Sequence, residues 1–449
     1  MRMPLACGTS LAVSACRDAP HCGHGMKILL TGATGFIGSH LRLALLDAGH
    51  TLLCTSRRWQ PDSVGCHWAV ADFGHTSTAR WGELLAGVQA VINTVGVFRE
   101  RAGNEFAAVH GVGPRRLFAA CVHAGVQRVL HMSALGADEQ ARSDYHVSKR
   151  AADDYLLSLP LDATVLQPSL VFGLDGFSAR LLLSWASLPL LPLPAGGRQP
   201  LQPVHVDDLT AVVLALLRTR ERWRGRRIAL VGPVALSLRD YLLALRSALG
   251  LPPPHTFDVP AAAVRTVLRV AQGFPRAPFD RATWHMLERG VVGDAAAVAS
   301  VLGHVPRAAP RFIEPASAAS VRRHAQLGWL LPLLRGALAA LWIVTGVVSL
   351  WVCPVSESYA LLQRAGVPAA WQPLVLHGAA LLDLMLGLLT LWPLRRQRWL
   401  WVAQMGLIVG YTAIISARLP EYWLDPFGPI TKNLPLLALL VALWALARR

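Results

Sequence analysis

The stretch Lys27-Ile-Leu-Leu-Thr-Gly-Ala-Thr-Gly-Phe-Ile-Gly38 decides the fold. Ile28, Leu29 and Leu30 form a short apolar run of the kind buried in a parallel sheet, and glycines follow at 32, 35 and 38. Ile37, Leu41 and Leu45 then recur at helical spacing. Strand, glycine turn and helix together make the geometry that seats a nucleotide pyrophosphate. Gly32 allows the tight turn, Gly35 lets the backbone approach the phosphates, and Gly38 lets the helix pack close to the strand. The helix N-terminus adds unbonded N–H groups and a partial positive charge. Thr31, Gly32, Thr34, Gly35, Phe36, Ile37 and Gly38 are therefore the first candidate cofactor-binding residues.

Strand and helix patterns alternate from residue 26 to about 175. Strands are expected at 27–31, 51–55, 67–71, 90–94, 128–132 and 164–167, with helices at 36–48, 111–124 and 145–158. This pattern predicts an α/β fold, a Rossmann-like doubly wound parallel sheet with ligands at the carboxyl ends of its strands. From 176 to about 320 the pattern loosens, with Pro-rich turns at 188–194 and 251–254 between helical stretches such as 210–218 and 238–249. This part reads as a small substrate-covering region, so that 26–320 is one cofactor-binding domain.

Beyond residue 329 the composition changes. Residues 336–353, 371–393 and 399–417 are long and nearly uncharged, close to the ~20 residues that a bilayer helix needs. Residues 434–447 form a shorter apolar segment. Trp residues at 329, 351, 371, 392, 399 and 401 stand near the segment ends, as in an interfacial belt. An all-α four-helix transmembrane domain is expected over 329–449. Arg322, Arg323, Arg335, Arg395, Arg396, Arg398, Arg448 and Arg449 would share one side, against Arg364, Arg418 and Lys432 on the other. That bias predicts a multi-pass protein of the inner (plasma) membrane with the cofactor domain and both termini cytoplasmic. Asp383, with His377 nearby, lies within the second apolar segment, where an ionisable group is costly and often functional.

Hydrophobic residues make up 53% of the 449 and charged residues 16%, which fits a chain partly embedded in lipid. The net charge of +16 comes mostly from scattered Arg without interleaved aromatics, so nucleic acid is excluded as a partner. Seven cysteines, an odd number with no Cys-x-x-Cys pair, read as free thiols in a reducing compartment. Cys16, His21, Cys22 and His24 fit no zinc spacing well, and no metal is expected. Residues 1–25 carry the outline of a lipoprotein signal before Cys16, but Gly8, Thr9 and Ser10 break its apolar core. They read as a disordered extension, with Met26 as a candidate start.

Tyr145-His-Val-Ser-Lys149 is the second strong feature. Tyr and Lys at i and i+4 share one helix face. A Lys ammonium near a phenol lowers the phenol pKa from about 10 toward working pH, so Tyr145 is expected to exchange a proton with a substrate oxygen as hydride moves at nicotinamide. Lys149 can also bond the cofactor ribose, and Ser133, at the end of the 128–132 strand, can hold the substrate oxygen. The plain alternative for Tyr145 and Lys149 is a surface helix pair. Asn93-Thr-Val-Gly96 ends the fourth strand and is expected to pass beside the cofactor, which adds Asn93 and Val95 to the binding residues.

Together, the glycine turn, Ser133 and Tyr145-x-x-x-Lys149 resemble the short-chain dehydrogenase/reductase superfamily, with the glycine spacing of its extended and atypical branches. His131-Met-Ser-Ala-Leu-Gly136, Gln167-Pro-Ser-Leu-Val-Phe-Gly173 and Pro203-Val-His-Val-Asp-Asp208 resemble the atypical group related to the NAD(P)-binding accessory subunit of respiratory complex I. That resemblance implies that Asp72, after the third strand, contacts adenine. Residues 423–435 resemble the DoxX-like four-helix membrane family. The second strand ends in Cys54-Thr-Ser-Arg-Arg58, without the acid that would bind the NAD ribose 2′-OH. Ser56, Arg57 and Arg58 suit a 2′-phosphate, so NADP(H) is favoured and NAD(H) remains possible. His205 and Asp207 either face the substrate cleft or cap a helix. Two functions stay open. One is a membrane-anchored NAD(P)H-dependent oxidoreductase or epimerase acting on a small, lipophilic carbonyl or hydroxyl substrate; the other is a non-catalytic NADP(H)-binding sensor or assembly factor with an unidentified protein partner.

Overall fold

A computed structural model describes residues 25–98, 100, 105–219, 221–271, 281–392, 398–426 and 428–447. The N-terminal extension with Cys7, Cys16 and Cys22, and the basic positions Arg395, Arg396, Arg448 and Arg449, lie outside the described residues. The chain divides into two compact units. One takes in the chain up to Ala179 together with Leu190–Ala318, and the other is Arg180–Pro189 with Ala319–Arg449.

The first unit is built on seven strands: β1 Lys27–Thr31, β2 Thr51–Ser56, β3 Cys66–Val70, β4 Ala90–Asn93, β5 Arg128–Met132, β6 Ala163–Pro168 and β7 Arg226–Leu230. They lie in the order β7-β6-β5-β4-β1-β2-β3, and every pairing is parallel. The order reverses between β1 and β4, so their carboxyl ends diverge and leave a crevice there. The sequence patterns find six of these strands to within one residue at each end. They miss β7, which opens on exposed Arg226 and Arg227 and buries only Ile228 and Leu230. An edge strand half in solvent carries too few apolar residues to stand out.

Side chains alternate across the sheet. Ile28, Leu30, Ile92, Leu130 and Leu166 face helix α1 (Phe36–Asp47) and the helix Val206–Arg218, whose Leu209, Val212, Val213 and Leu216 are buried there. Leu29, Val91, Val129 and Val165 face the other way, toward α2 (Thr78–Leu84), α3 (Gly113–His123) and α4 (Asp144–Ser158). Each Leu so enclosed contributes about 1.5–3 kcal/mol, and α2, α3 and α4 hold the second layer through Trp81, Leu117, Phe118 and Leu156. After β6 come three two-stranded ribbons: Val171–Phe172 with Val204–His205, Pro200–Leu201 with Leu236–Ser237, and Leu190–Pro194 with His255–Val259.

The second unit is helical. Pro315–Val347, Gln372–Leu391, Arg398–Arg418 and Asn433–Leu446 correspond to the four apolar segments, and a short helix, Val355–Arg364, lies between the first two. Three stretches, Pro315–Val352, Ala369–Leu391 and Arg398–Arg418, are long and apolar enough to cross a bilayer, and the last helix is shorter. The first helix starts about 20 residues ahead of its apolar part and carries Pro332 within it. Glycines let it approach Gln372–Leu391 closely: a Cβ on Gly346 would stand 2.8 Å from Ala380 O, and one on Gly387 would stand 3.0 Å from Ala339 O. Trp342 Nε1 donates to Gln404 Oε1 (2.8 Å), and Gln404 Nε2 donates to Thr390 Oγ1 (2.9 Å), tying three helices with buried bonds. Asp383 is buried, whereas His377 is exposed with Nδ1 on Pro373 O, so the two do not pair. Six residues of helix turn them to different faces.

Gly38 makes the tight joint between the glycine turn and α1. A Cβ there would lie 2.1 Å from Gly32 O. Replacing Gly38 by Val should lower the stability of the detergent-solubilised chain by about 1–3 kcal/mol, from overpacking. Gly82→Ala, at a helical position with nothing within 4 Å of the added carbon, should leave the thermal midpoint unchanged or slightly raised. Equal midpoints for the two variants would refute the close-packing role.

Candidate active site

The glycine turn has the predicted geometry. Gly32 takes φ +76°, and a Cβ on it would meet Thr94 Oγ1 at 2.7 Å. Gly35 N–H donates to Gly32 O (2.9 Å), closing the turn, and Gly35 then stands at the N-cap of α1 without any side-chain cap. The first N–H groups of α1, from Phe36, Ile37 and Gly38, therefore face outward without an intrahelical acceptor. Thr34 and Gly35 are exposed, and a Cβ on Gly35 would meet only Gly32 O, at 3.2 Å. An open, uncapped helix start beside the β1/β4 crevice fits a dinucleotide pyrophosphate.

At the end of β2, Ser56 Oγ accepts from the Arg58 N–H (3.2 Å), and Arg57 and Arg58 are exposed. Asp72 stands two residues beyond β3, and its carboxylate meets His75 Nδ1 at 3.1 Å. Val95 lies past β4, half-buried; its N–H donates to Asn93 Oδ1 and its carbonyl accepts from Lys149.

Two expected binding residues have a different place. Thr31 and Asn93 are wholly buried. Thr31 Oγ1 donates to Asn93 Oδ1 (2.7 Å), and Asn93 Nδ2 donates to His131 Nδ1 (3.0 Å). With the Asn93 amide oxygen and nitrogen both bonded inside the sheet, these side chains brace the loops from beneath.

Helix α4 is capped by Ser143, which accepts from His146 N, so Tyr145 falls in its first turn and Lys149 one turn later. Lys149 is buried, and its Nζ donates to Met132 O (3.1 Å) and Val95 O (3.3 Å), pinning α4 across the ends of β5 and β4. Burial lowers Lys149 to about 8 against the opposing Asp153 charge. Met132 is the residue before Ser133, so Lys149 and Ser133 share one strand end. Tyr145 is ringed by Phe98 (5.3 Å between centroids), Phe106 (6.0 Å), His110 (5.6 Å) and His146 (5.2 Å). The phenol is not lowered, as the Tyr-x-x-x-Lys spacing led one to expect. It is pushed up to about 12, first by burial among these rings and then by the Asp153 carboxylate, while Lys149 is turned to two carbonyls.

Three groups at this site were not among the candidate site residues. Asp153, one turn beyond Lys149, is fully buried and accepts from Ser133 Oγ at 2.7 Å. His131 is fully buried between Asn93 and Asp153. His110, from the turn before α3, accepts from Val97 N–H through Nε2 (3.1 Å) and contacts Ser148 Oγ through Nδ1 (3.0 Å), which fixes the proton on Nδ1. Burial, with the Lys149 charge, takes His110 down to about 3, so the ring is neutral. Only knowledge of the sheet register brings these residues together. His205 serves as a helix cap: its Nδ1 accepts from Asp207 N (3.2 Å), and its ring packs on Phe172 and Phe312. Among the described residues Cys54, Cys66, Cys121 and Cys353 are free thiols, and no group of metal-ligating side chains gathers.

Comparison with known proteins agrees with the fold. Residues 28–232 match the NAD dependent epimerase/dehydratase family, and residues 339–441 match the DoxX-like family. Over 222 residues the chain is 28% identical to subunit 9 of the NADH dehydrogenase [ubiquinone] 1 alpha subcomplex of Arabidopsis thaliana, covering 46% of this chain and 54% of that protein. Over 198 residues it is 31% identical to the ceramide reductase of Caulobacter vibrioides, covering 43% and 61%. The chain thus spans little more than half the length of these two relatives. Among solved structures, MoeE5 in complex with UDP-glucose and NAD superposes with a TM-score of 0.50 at 22% identity, covering 68% of this chain and 99% of that one, a likeness of fold. The chain therefore joins an N-terminal domain of the NAD dependent epimerase/dehydratase family, at residues 28–232, to a C-terminal DoxX-like domain at 339–441.

Proposed function

We propose that the protein is a membrane-anchored reductase that uses NADP(H) in preference to NAD(H) and acts on the carbonyl or hydroxyl group of a lipophilic substrate. The observation that carries this reading is Tyr145, held in a ring of aromatic side chains one helical turn from Lys149 and beside the strand end that bears Ser133. Bound nicotinamide would supply or accept the hydride. Tyr145, kept protonated by burial, donates its proton to the oxygen of the carbonyl as charge develops there, which favours the reductive direction. Lys149 has three N–H donors, of which two hold Met132 O and Val95 O. The third is left for a ribose hydroxyl. Ser133 orients the substrate oxygen. The uncapped start of α1 takes the diphosphate, and Ser56, Arg57 and Arg58 take the 2′-phosphate.

Phe98 and Phe106 beside Tyr145 favour an apolar substrate, as do the apolar helices that follow and the likeness to a ceramide reductase. The arginine bias of the helix-flanking loops supports a cytoplasmic cofactor domain. The likeness to a complex I subunit favours a second reading, a cofactor-binding assembly protein without turnover.

Purified protein in lipid nanodiscs should oxidise NADPH in the presence of long-chain ketones. Tyr145→Phe should cut kcat/KM about 10²–10⁴-fold while NADPH still binds, as read by its fluorescence. If NADPH binds but neither protein turns over any ketone, the second reading replaces the first. Arg57→Ala with Arg58→Ala should weaken NADPH by at least about tenfold, at 1.5–3 kcal/mol for each lost charge-assisted bond, and leave NADH unchanged. An unaltered preference between the two cofactors would reject the phosphate assignment. A reporter fused at residue 425 should be active outside the cytoplasm, and cytoplasmic activity there would overturn the four-span topology.

A further inference from the structure

Asp153 lies outside every motif used so far, yet none of its surface reaches solvent. It stands on α4 one turn beyond Lys149 and two beyond Tyr145. Ser133 Oγ donates to its Oδ2 at 2.7 Å, and Gln167 Nε2 donates to the same oxygen at 3.4 Å. Its Oδ1 has no hydrogen-bond partner among the described residues and faces His131 Nε2 at 3.4 Å. His131 accepts from Asn93 Nδ2 through Nδ1, so Nε2 carries its hydrogen and stays on the Asp153 side. A serine has one proton to donate. While that proton is held by the Asp153 carboxylate, Ser133 has only lone pairs to turn toward a substrate oxygen.

We propose that Asp153 is a positioning residue that sets the hydrogen-bond polarity of Ser133. As a carboxylate it accepts the Ser133 proton, and Ser133 then accepts from a substrate alcohol. As a carboxylic acid it donates its own proton to Ser133 Oγ, and the Ser133 proton turns to a substrate carbonyl. The two states differ by one proton, which the pair takes from solvent on passing from carboxylate to acid and returns to solvent on the way back. The inference rests on Ser133 meeting the reacting oxygen, as proposed above.

The surroundings allow both states. Burial raises Asp153 to about 7, against the Ser133 and Gln167 hydrogen bonds and the Lys149 and Arg227 charges. The groups that face it are Lys149 and Tyr145 from α4, His131 and Ser133 from the end of β5, Gln167 from β6, Arg227 from β7, and His110 beyond His131. Arg227 is ion-paired with Asp154. His110, at about 3, and His131, held well below its usual range by burial and then by Lys149 and His110, remain neutral near pH 7. Tyr145, at about 12, stays protonated, and Lys149 changes charge nearer pH 8. Asp153 is therefore the group of this set that changes charge near pH 7.

The test uses the full chain in nanodiscs, with methyl nonyl ketone and NADPH for reduction, and the matching secondary alcohol with NADP⁺ for oxidation. Reduction should fall as pH rises through about 7, by up to about tenfold per pH unit, and oxidation should rise over the same range. Asp153→Asn, whose amide can donate permanently to Ser133, should keep reduction flat through pH 7 and remove the limb from oxidation. Ser133→Ala should be slower and equally flat, and any limb near pH 8 from Lys149 should persist in both. An Asp153→Asn protein that keeps the limb at 7 overturns the proposal. Infrared titration gives a readout that needs no turnover. A carboxylic C=O band that titrates near 7, disappears in Asp153→Asn and shifts in Ser133→Ala supports the pair; no such band, or one that Ser133→Ala leaves in place, overturns it. Failure of the wild-type chain to turn over the ketone, with that band present, counts against the proposed function and not against the Asp153–Ser133 exchange.

Discussion

Thr31, Asn93 and His131 occupy matching positions on three adjacent strands, and the site depends on the bonds between them. The register pairs Thr31 with Asn93 and Asn93 with His131, so their side chains line up on one face at the carboxyl edge. Each polar atom left unbonded there would cost about 1–3 kcal/mol. The line runs from hydroxyl to amide oxygen and from amide nitrogen to imidazole; the imidazole Nε2 then faces Asp153 Oδ1 at 3.4 Å without a hydrogen bond, and Asp153 Oδ2 accepts from Ser133. A slip of one residue between any two strands would send these groups to the opposite face, into the apolar layer beneath α1. The glycine turn and the serine are thus fixed relative to each other by the sheet itself, with loops serving only as the outer surface.

That rigidity changes how the Tyr145–Lys149 pair works. Two residues four apart on an isolated helix would leave an ammonium beside a phenol. Here the ammonium closes the ends of β4 and β5, and the phenol is enclosed by rings. Desolvation then outweighs attraction, and the phenol keeps its proton. In the proposed reaction the pair is a protonated phenol next to a strap, not a preformed phenolate.

The legible and illegible parts of the sequence divide along physical lines. Local signals carried the strands β1 to β6, the turn at Gly32 and the body of α4, because apolar runs, a left-handed glycine and helical spacing each act within a few residues. The seventh strand escaped, since two arginines at an edge look like solvent-facing loop. Asn93 is a related case: its position at a strand end is legible, but only pairing with Thr31 and His131 says which way its amide points. Asp153 was invisible because an acid on a helix normally faces water, and only a sheet packed over it makes it a buried group.

The final helix, Asn433–Leu446, has 14 residues. At 1.5 Å per residue it rises about 21 Å, against a hydrocarbon thickness of about 30 Å. In a bilayer such a hydrophobic mismatch is met by local thinning, which draws lipid headgroups and water deeper on that side of the bundle. The three longer helices are long enough to cross without such a dimple.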